Sequence, residues 1–467
     1  MLSKDELEEY QKLAIKLAYV KKRYALFMMM GCGKTITALT IIWALFKNKK
    51  IKRCLIVAPT TAVEDTWMDE IEKWQHIIEE LHPESLFQVG KADRAEVLKT
   101  TDANVIVASH GIVKSIVDEK LYDFDCVIID ESTFYKNHRS VKYKALYNAS
   151  RKTPYIYLLS GTPSPNDYTD MYAQIKLLDG GRTLGTTLTT FRKRWCVPSD
   201  LFVGGRAIQV WKFNMALKDK FLKKIEHMCF FMDSPEVLDL PHIEYKNCMF
   251  DLNRHAQIMY YHMKNRHVVH PSGTLDLTNM VRGRSAAAVV DKLRQISNGV
   301  VYNTEGLMIR VHDCKLLALR DLMDDDDKNY IIVFGYKHDL VGIRAMLPNS
   351  VEYRDYVGVK DDWNAGKIKY LLLHPQSAGY SLNLQKGGSE IIFFSMPWSY
   401  GAYAQVIARV YRRGQKDKVV VKRLMMNSFQ TDNGKWIPSV DIAVAESLER
   451  KETGQQYIFD KLGLKGY

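Results

Sequence analysis

Apolar residues in the first third of the chain come in short unbroken runs: "ALFMMM" (25–30), "CLIVAP" (54–59), "NVIVAS" (104–109), "CVIID" (126–130) and "YIYLLSG" (155–161). Such runs predict strands buried on both faces. The segments between them carry helical spacing; in "ITALTIIWALF", Ile36, Leu39, Ile42 or Trp43, and Phe46 share a face. Strands alternating with helices predict a parallel sheet covered on both sides. The middle third loses this rhythm and reads as mostly helical, with "LKDKFLKKIEHM" (217–228) and "AAAVVDKLRQIS" (286–297) as amphipathic stretches. Strand alternation resumes with "YIIVFG" (330–335), "YLLLHP" (370–375), "EIIFFSM" (390–396) and "VVVKRLM" (419–425). The expected fold class is α/β, with two parallel-sheet lobes, residues 1–180 and 311–467, flanking a helical, basic insertion over 181–310. A chain of 467 residues is also too long for one core.

In open α/β sheets ligands sit beyond the carboxyl ends of the strands, and the chemically informative residues fall there. "MMMGCGKT" (28–35) follows the first run and opens the first predicted helix. A phosphate-binding loop requires small residues so that backbone N–H groups can reach phosphate oxygens, a lysine for the β/γ charge, and a hydroxyl for Mg²⁺. Gly31, Gly33, Lys34 and Thr35 supply these parts, with Met30 and Cys32 in the same loop, and the helix start points at the anion. Met28 stands where the G-x-x-x-x-G-K-[ST] pattern opens with glycine; the plain alternative is a glycine turn beside a lysine. "CVIIDES" then offers Asp130 to hold Mg²⁺ through water and Glu131 to polarise the attacking water. In isolation the same pair would be a helix N-cap with an acidic neighbour. Late in the chain, "QVIARVYRRGQ" (405–415) spaces Gln405, Arg409 and Arg412 four and three residues apart, on one face of a predicted helix. Arginines placed there would stabilise charge on a transferring phosphoryl group; the alternative is a solvated basic stripe.

Charge adds a partner. The net charge is +12, and residues 181–310 alone hold 19 Lys/Arg against 11 Asp/Glu. Clusters such as Arg192-Lys193-Arg194, Lys223-Lys224 and Arg282-Gly283-Arg284 each read as solvated surface singly. Their concentration implies a polyanion, most simply nucleic acid. No apolar run reaches the ~18 residues of a membrane span, and "MLSKDELEEYQK" lacks a signal peptide's apolar stretch, so a cytoplasmic, non-membrane protein is expected. Seven cysteines, never in C-x-x-C spacing, argue for a reducing compartment and against structural zinc.

Taken together, these segments resemble the Swi/Snf-like branch of the superfamily 2 helicases. Tyr10-Gln11 resembles that family's upstream glutamine, which implies that Gln11 reads adenine. "LIVAPTTAVEDTWMDEIEKW" (55–74) resembles its first nucleic-acid-contacting motif, and "DESTFYKN" (130–137) its Walker B segment. "LLSGTPSPNDYTDMY" (158–172) is similar to the S/T-G-T-P motif that couples the ATP site to the nucleic-acid groove. "LRQISNG" (293–299) fits the helical region before the second lobe, and "SAGYSLNLQ" (377–385) and "QVIARVYRRGQ" resemble the last two motifs. The "LNLQ" ending and short inserts resemble compact phage and bacterial members.

The resemblance implies two RecA-like lobes, ATP and Mg²⁺ as cofactors, and an ATP-dependent translocase or helicase acting on nucleic acid, with duplex DNA favoured. Lys34, Glu131, Arg409 and Arg412 would be catalytic. Gln11, Met30, Gly31, Cys32, Gly33, Lys34, Thr35, Asp130 and Gln405 would hold the nucleotide, with Thr35 and Asp130 serving the metal. Pro59, Thr60, Ser109, Thr162, Ser377 and Asn383 would meet nucleic acid beside Arg192, Lys193 and Arg194, and Ser160 and Thr162 would couple the two sites. The alternatives are a strand-separating helicase, an RNA-directed motor, a non-catalytic DNA-binding scaffold, or the motor subunit of a replication, recombination or nuclease assembly. Three departures stand out: Thr133 where the family usually has His or Asp, Ser381 in place of a glycine, and Phe230-Phe231-Met232 where two arginines are expected. "DDDDK" (324–328) is expected to be a connecting loop.

Overall fold

The computed structural model describes residues 2–165, 167–203, 206–232, 240–269, 280–323, 327–378 and 382–449. The chain folds into two compact units, the first built mainly from Met1–Pro198 and Trp211–Asp239, the second mainly from Leu240–Gly379 and Asn383–Tyr467.

The first unit carries strands β1 (Arg23–Met28), β2 (Cys54–Ala58), β3 (Pro83–Ser85), β4 (Val105–Ser109), β5 (Cys126–Ile129), β6 (Tyr155–Ser160) and β7 (Cys229–Met232). They form one sheet in the order β3-β4-β2-β5-β6-β1-β7, every pair parallel. All the residues of β2, β5 and β6 are buried, as their unbroken apolar runs require. Arg23 opens β1 and donates to the carbonyls of Ser150, Thr153 and Leu178. It thereby satisfies orphan carbonyls at the ends of helices Val141–Ser150 and Met171–Asp179.

The second unit carries β8 (Ile243–Phe250), β9 (Tyr330–Val333), β10 (Val351–Glu352), β11 (Tyr370–Leu373), β12 (Glu390–Phe393) and β13 (Val419–Met426). Their order is β8-β13-β12-β9-β11-β10, again parallel throughout. Both units are therefore RecA-like α/β layers. Helix Ala286–Asn298, which contains most of "LRQISNG", is locked into this second unit by buried polar contacts. Lys315 Nζ, fully buried, donates to Asn298 Oδ1 at 2.9 Å and to Asp441 Oδ2 at 3.2 Å. Ser297 Oγ donates to the same Asp441 oxygen, and Asn298 Nδ2 donates to Asp339. A buried ammonium needs such partners, because an unpaired one would be strongly destabilising.

Residues 181–310 do not form a separate insertion. Helices Leu188–Trp195 and Lys218–Ile225 belong to the first unit, and Arg254–Arg266 and Ala286–Asn298 to the second. The segment also provides β7 and β8, strands that the loss of alternation had concealed. The Phe230-Phe231-Met232 departure lies in β7: it pairs with β1, and the Phe231 and Phe27 rings lie 5.6 Å apart. Ser381 and residues 324–326 of "DDDDK" lie outside the described residues.

Candidate nucleotide-binding site

Because the first sheet is wholly parallel, all its carboxyl ends lie on one edge. The order of strands sets the order of loops along that edge: Ser109 after β4, Pro59-Thr60 after β2, Asp130-Glu131 after β5, Ser160-Gly161-Thr162 after β6, and the "MMMGCGKT" loop after β1. The loop and Asp130 are two strands apart, about 10 Å at the usual strand spacing. This separation suits a phosphate chain lying between a cationic loop and an acidic pair.

Two glycines set the path of the loop. Gly31 and Gly33 adopt φ of 86° and 67°, and Gly33 caps the N-terminus of helix Lys34–Lys47. A side chain at Gly33 would be strained by that φ and would collide with the Gln11 amide. Gln11 is buried; its Nε2 donates to Cys32 O at 3.1 Å, and its Oε1 accepts from the Glu8 N–H. Tyr10 OH donates to the same Cys32 carbonyl at 3.3 Å. The Tyr10-Gln11 pair therefore braces the phosphate loop as well as standing beside it. Lys34 Nζ lies over the loop, donating to Met28 O at 3.2 Å and Met29 O at 3.4 Å.

Asp130 is buried and held by a partner that sequence reasoning did not single out. Trp67 Nε1 donates to Asp130 Oδ2 at 3.0 Å, and the Glu131 N–H donates to Oδ1 at 2.9 Å. Trp67 lies in a π-helical turn, Val63–Met68, and is fully buried; such widened turns gather at functional sites. Its signal was present as an apolar indole inside the 55–74 motif, but its direction depends on that turn. Glu131 adopts φ 46°, ψ 58°, a left-handed conformation that a non-glycine residue holds only when its surroundings impose it. Thr35, a hydroxyl in the first turn of helix Lys34–Lys47, and Asp130, a carboxylate just after β5, are oxygen donors of the kind that Mg²⁺ takes.

The turn after Glu131, Ser132–Tyr135, is held from the β4 side by His110. The His110 ring stacks on Phe134 at 4.5 Å, and its Nδ1 lies 3.3 Å from Tyr135 OH. Burial pushes His110 down to about 3, with the Lys142 charge adding to the effect. The ring is neutral in the fold but titrates near 6.5 in an unfolded chain. Its stability contribution is complete above about pH 6.5 and is lost as the pH falls toward the folded value, because the unfolded chain takes up the proton first. Relative to His110→Phe, the wild-type protein should therefore lose about 1.4 kcal/mol per pH unit below pH 6.5. Urea unfolding of both proteins from pH 7 to 4.5 checks this, and a constant difference would refute it.

Ser160 and Thr162 meet directly, the Thr162 N–H donating to Ser160 Oγ at 3.1 Å. Between them, Gly161 lies against the phosphate loop: a Cβ there would stand 2.7 Å from Met30 Cγ and 3.4 Å from Lys34 Nζ. Arg192, Lys193 and Arg194 sit in the last turn of helix Leu188–Trp195. That helix is anchored by Phe191 and Trp195, packed on Tyr172 and Phe221, which leaves Lys193 and Arg194 exposed.

In the second unit one expectation changes. Gln405 lies in helix Tyr400–Ile407, but the helix ends there, so Arg409 and Arg412 do not share its face. They sit in the successive turns that follow, closed by Arg412 N→Val410 O and Gln415 N→Arg412 O bonds. The Arg409 carbonyl accepts from the N–H of Leu384, distant in sequence, at 3.0 Å instead of continuing a helical ladder, and Gly414 at φ 92° turns the chain. Arg409 is buried. Asn383 lies beside this turn in the same segment, its carbonyl accepting from Asn364 Nδ2 at 2.7 Å, while Ser377 is buried after β11.

Comparison with known proteins places the chain among related sequences. The family model described as SNF2-related domain matches residues 14–300. A "Putative protein p41" of Acyrthosiphon pisum secondary endosymbiont phage 1 is 29% identical over 420 residues, covering 86% of this chain and 87% of that protein. The human "DNA annealing helicase and endonuclease ZRANB3" is 24% identical over 85% of this chain, and the chicken "DNA repair and recombination protein RAD54-like" is 23% identical over the same share. The alignments span 36% of the ZRANB3 protein and 60% of the RAD54-like one.

Proposed function

The chain belongs to the SNF2-related family, and from that premise we propose that it is an ATP-driven motor that translocates on nucleic acid, with duplex DNA as its track. The observation that carries this reading is the first sheet's edge, where the Lys34 loop, the Gly161 loop and the Asp130-Glu131 pair stand side by side on parallel strand ends. ATP would be held by the backbone of residues 30–35, with Lys34 on its terminal phosphates and Gln11 near its base. Thr35 and Asp130 would serve Mg²⁺, which supplies charge neutralisation for phosphoryl transfer when bound. Glu131 would orient and polarise the attacking water, and Arg409, Arg412 and Gln405 would answer the charge of the transferring group. Pro59, Thr60, Ser109 and Thr162 lie on the same edge beyond or beside the acidic pair, and are proposed to face nucleic acid, as are Ser377 and Asn383. The DNA named for two relatives supports the choice of polyanion. A replication, recombination or nuclease partner would direct the motor to its task.

The deciding experiment measures ATP hydrolysis without nucleic acid, then with duplex DNA, single-stranded DNA and RNA. Stimulation led by duplex DNA is expected; equal hydrolysis in all four conditions would sink the motor reading. DNA affinity should also fall steeply with salt, since each phosphate contact on duplex DNA contributes about −0.9 to the slope of log K against log[salt]. Reversing Arg192, Lys193 and Arg194 to glutamate should flatten that slope by about 2 or more. An unchanged slope would return the cluster to the role of a solvated helix end, where cations also suit the helix dipole.

A further inference from the structure

We infer that Gln174 is a positioning residue that makes the Glu131 turn and the Thr162 loop move as one, and so transmits nucleic-acid binding to hydrolysis; the inference rests on the motor reading above. Gln174 is fully buried on helix Met171–Asp179. Its Oε1 accepts from Ser132 Oγ at 2.6 Å, and its Nε2 donates to Pro163 O at 2.7 Å and to Asp170 O at 2.9 Å. Ser132 is the residue after Glu131, and Pro163 the residue after Thr162. One primary amide therefore joins the loops leaving β5 and β6, the neighbouring strands that end in the acidic pair and in Ser160-Gly161-Thr162.

The amide has both donors and its acceptor in use. Displacing either loop alone would leave a buried amide or carbonyl unpaired, which is costly, so the low-energy displacements carry both loops together. A second tie runs parallel to it: Lys136 Nζ lies 3.6 Å from Asp170 Oδ2. By contrast, the Thr133 hydroxyl makes no hydrogen bond among the described residues. Packing by itself does not require glutamine here. The adjoining helix positions Met171, Tyr172, Ala173, Ile175, Leu177 and Leu178 are buried, and leucine would fill the same space. On the other side, Gly161 lies close enough to Met30 and Lys34 that a Cβ there would collide with Met30. A shift in the Thr162 loop is thus felt at both the water-polarising and the phosphate-holding groups.

The test uses the full chain with Gln174→Leu, which keeps volume and loses every bond of the amide. Gln174→Glu keeps an acceptor for Ser132 and loses the donor to Pro163. Ser132→Ala removes a single hydroxyl and keeps the experiment decisive should either Gln174 variant fail to fold. Basal and DNA-stimulated kcat, KM for ATP, DNA affinity and thermal midpoint are measured on each. The expected result is a loss of DNA stimulation of kcat by about tenfold, within the range that coupled networks transmit, with KM and DNA affinity near wild type. Variants as strongly stimulated as the wild type, whether or not their thermal midpoints fall, overturn the inference and leave Gln174 a packing residue. A wild-type chain whose hydrolysis ignores DNA overturns the motor reading, and the inference with it.

Discussion

Replacing Lys34 by alanine is expected to lower ATP hydrolysis by about 10²-fold to 10³-fold or more, the loss typical of removing one preorganised charge-stabilising donor, while DNA binding without ATP survives. The reason lies in the loop's construction. Gly31 and Gly33 turn the backbone into the helix N-terminus, which under the proposed function would face the phosphates, but N–H groups alone carry only partial charge. Lys34 is the full cation of this loop, and its ammonium sits over the Met28 and Met29 carbonyls, where terminal phosphates would replace them as partners. Those two hydrogen bonds are partly exposed, so their loss should leave the fold intact. Phosphate release, DNA anisotropy and thermal midpoint on one preparation check the expectation. Loss of hydrolysis and DNA binding together with a lowered midpoint would mean that Lys34 supports the loop rather than the nucleotide.

Glu131→Gln is expected to retain ATP binding while turnover drops by about 10² to 10⁴, because a neutral amide cannot take a proton from water. The structure sharpens this expectation. The Glu131 backbone is held in a left-handed conformation, its N–H donating to Asp130 Oδ1, and the turn after it is clamped by His110, Phe134 and Tyr135. Glutamine has the same shape and fits the same clamp, so the substitution tests chemistry with little change of structure. Nucleotide affinity and single-turnover hydrolysis separate the two steps. Wild-type turnover in the variant would remove Glu131 from the mechanism.

The Trp67–Asp130 bond illustrates where reading along the chain stops. Trp67 and Asp130 are 63 residues apart, and no periodicity relates them. They meet because β2 and β5 are neighbours in a parallel sheet and the π-helical turn after β2 swings the indole toward β5. Gln174 is similar: on helical spacing it belongs to a buried face, and nothing in "MYAQIKLLD" marks it as a bridge between two loops. The arginines at 409 and 412 show the converse. Their spacing alone implied one helical face, but a backbone bond from Leu384 to Arg409 ends the ladder after Ile407.

The sequence by itself determined which segments become buried strands, because a strand covered on both faces demands an unbroken apolar run, and such a run can be read locally. It also determined the glycine turn that carries Lys34 and the place of Asp130 and Glu131 just after a strand, since glycine at positive φ and the end of an apolar run are both set locally. Tertiary structure alone decided the order of strands, and with it which loops stand beside which. It decided that residues 181–310 divide between two units and lend an edge strand to each sheet, because short or amphipathic strands such as β7 and β8 are stabilised by the neighbour they pair with rather than by their own pattern. It also decided the partners of Asp130, Ser132 and Lys315. A buried polar group must find a hydrogen bond somewhere in the fold, and the sequence states that requirement without naming the residue that meets it.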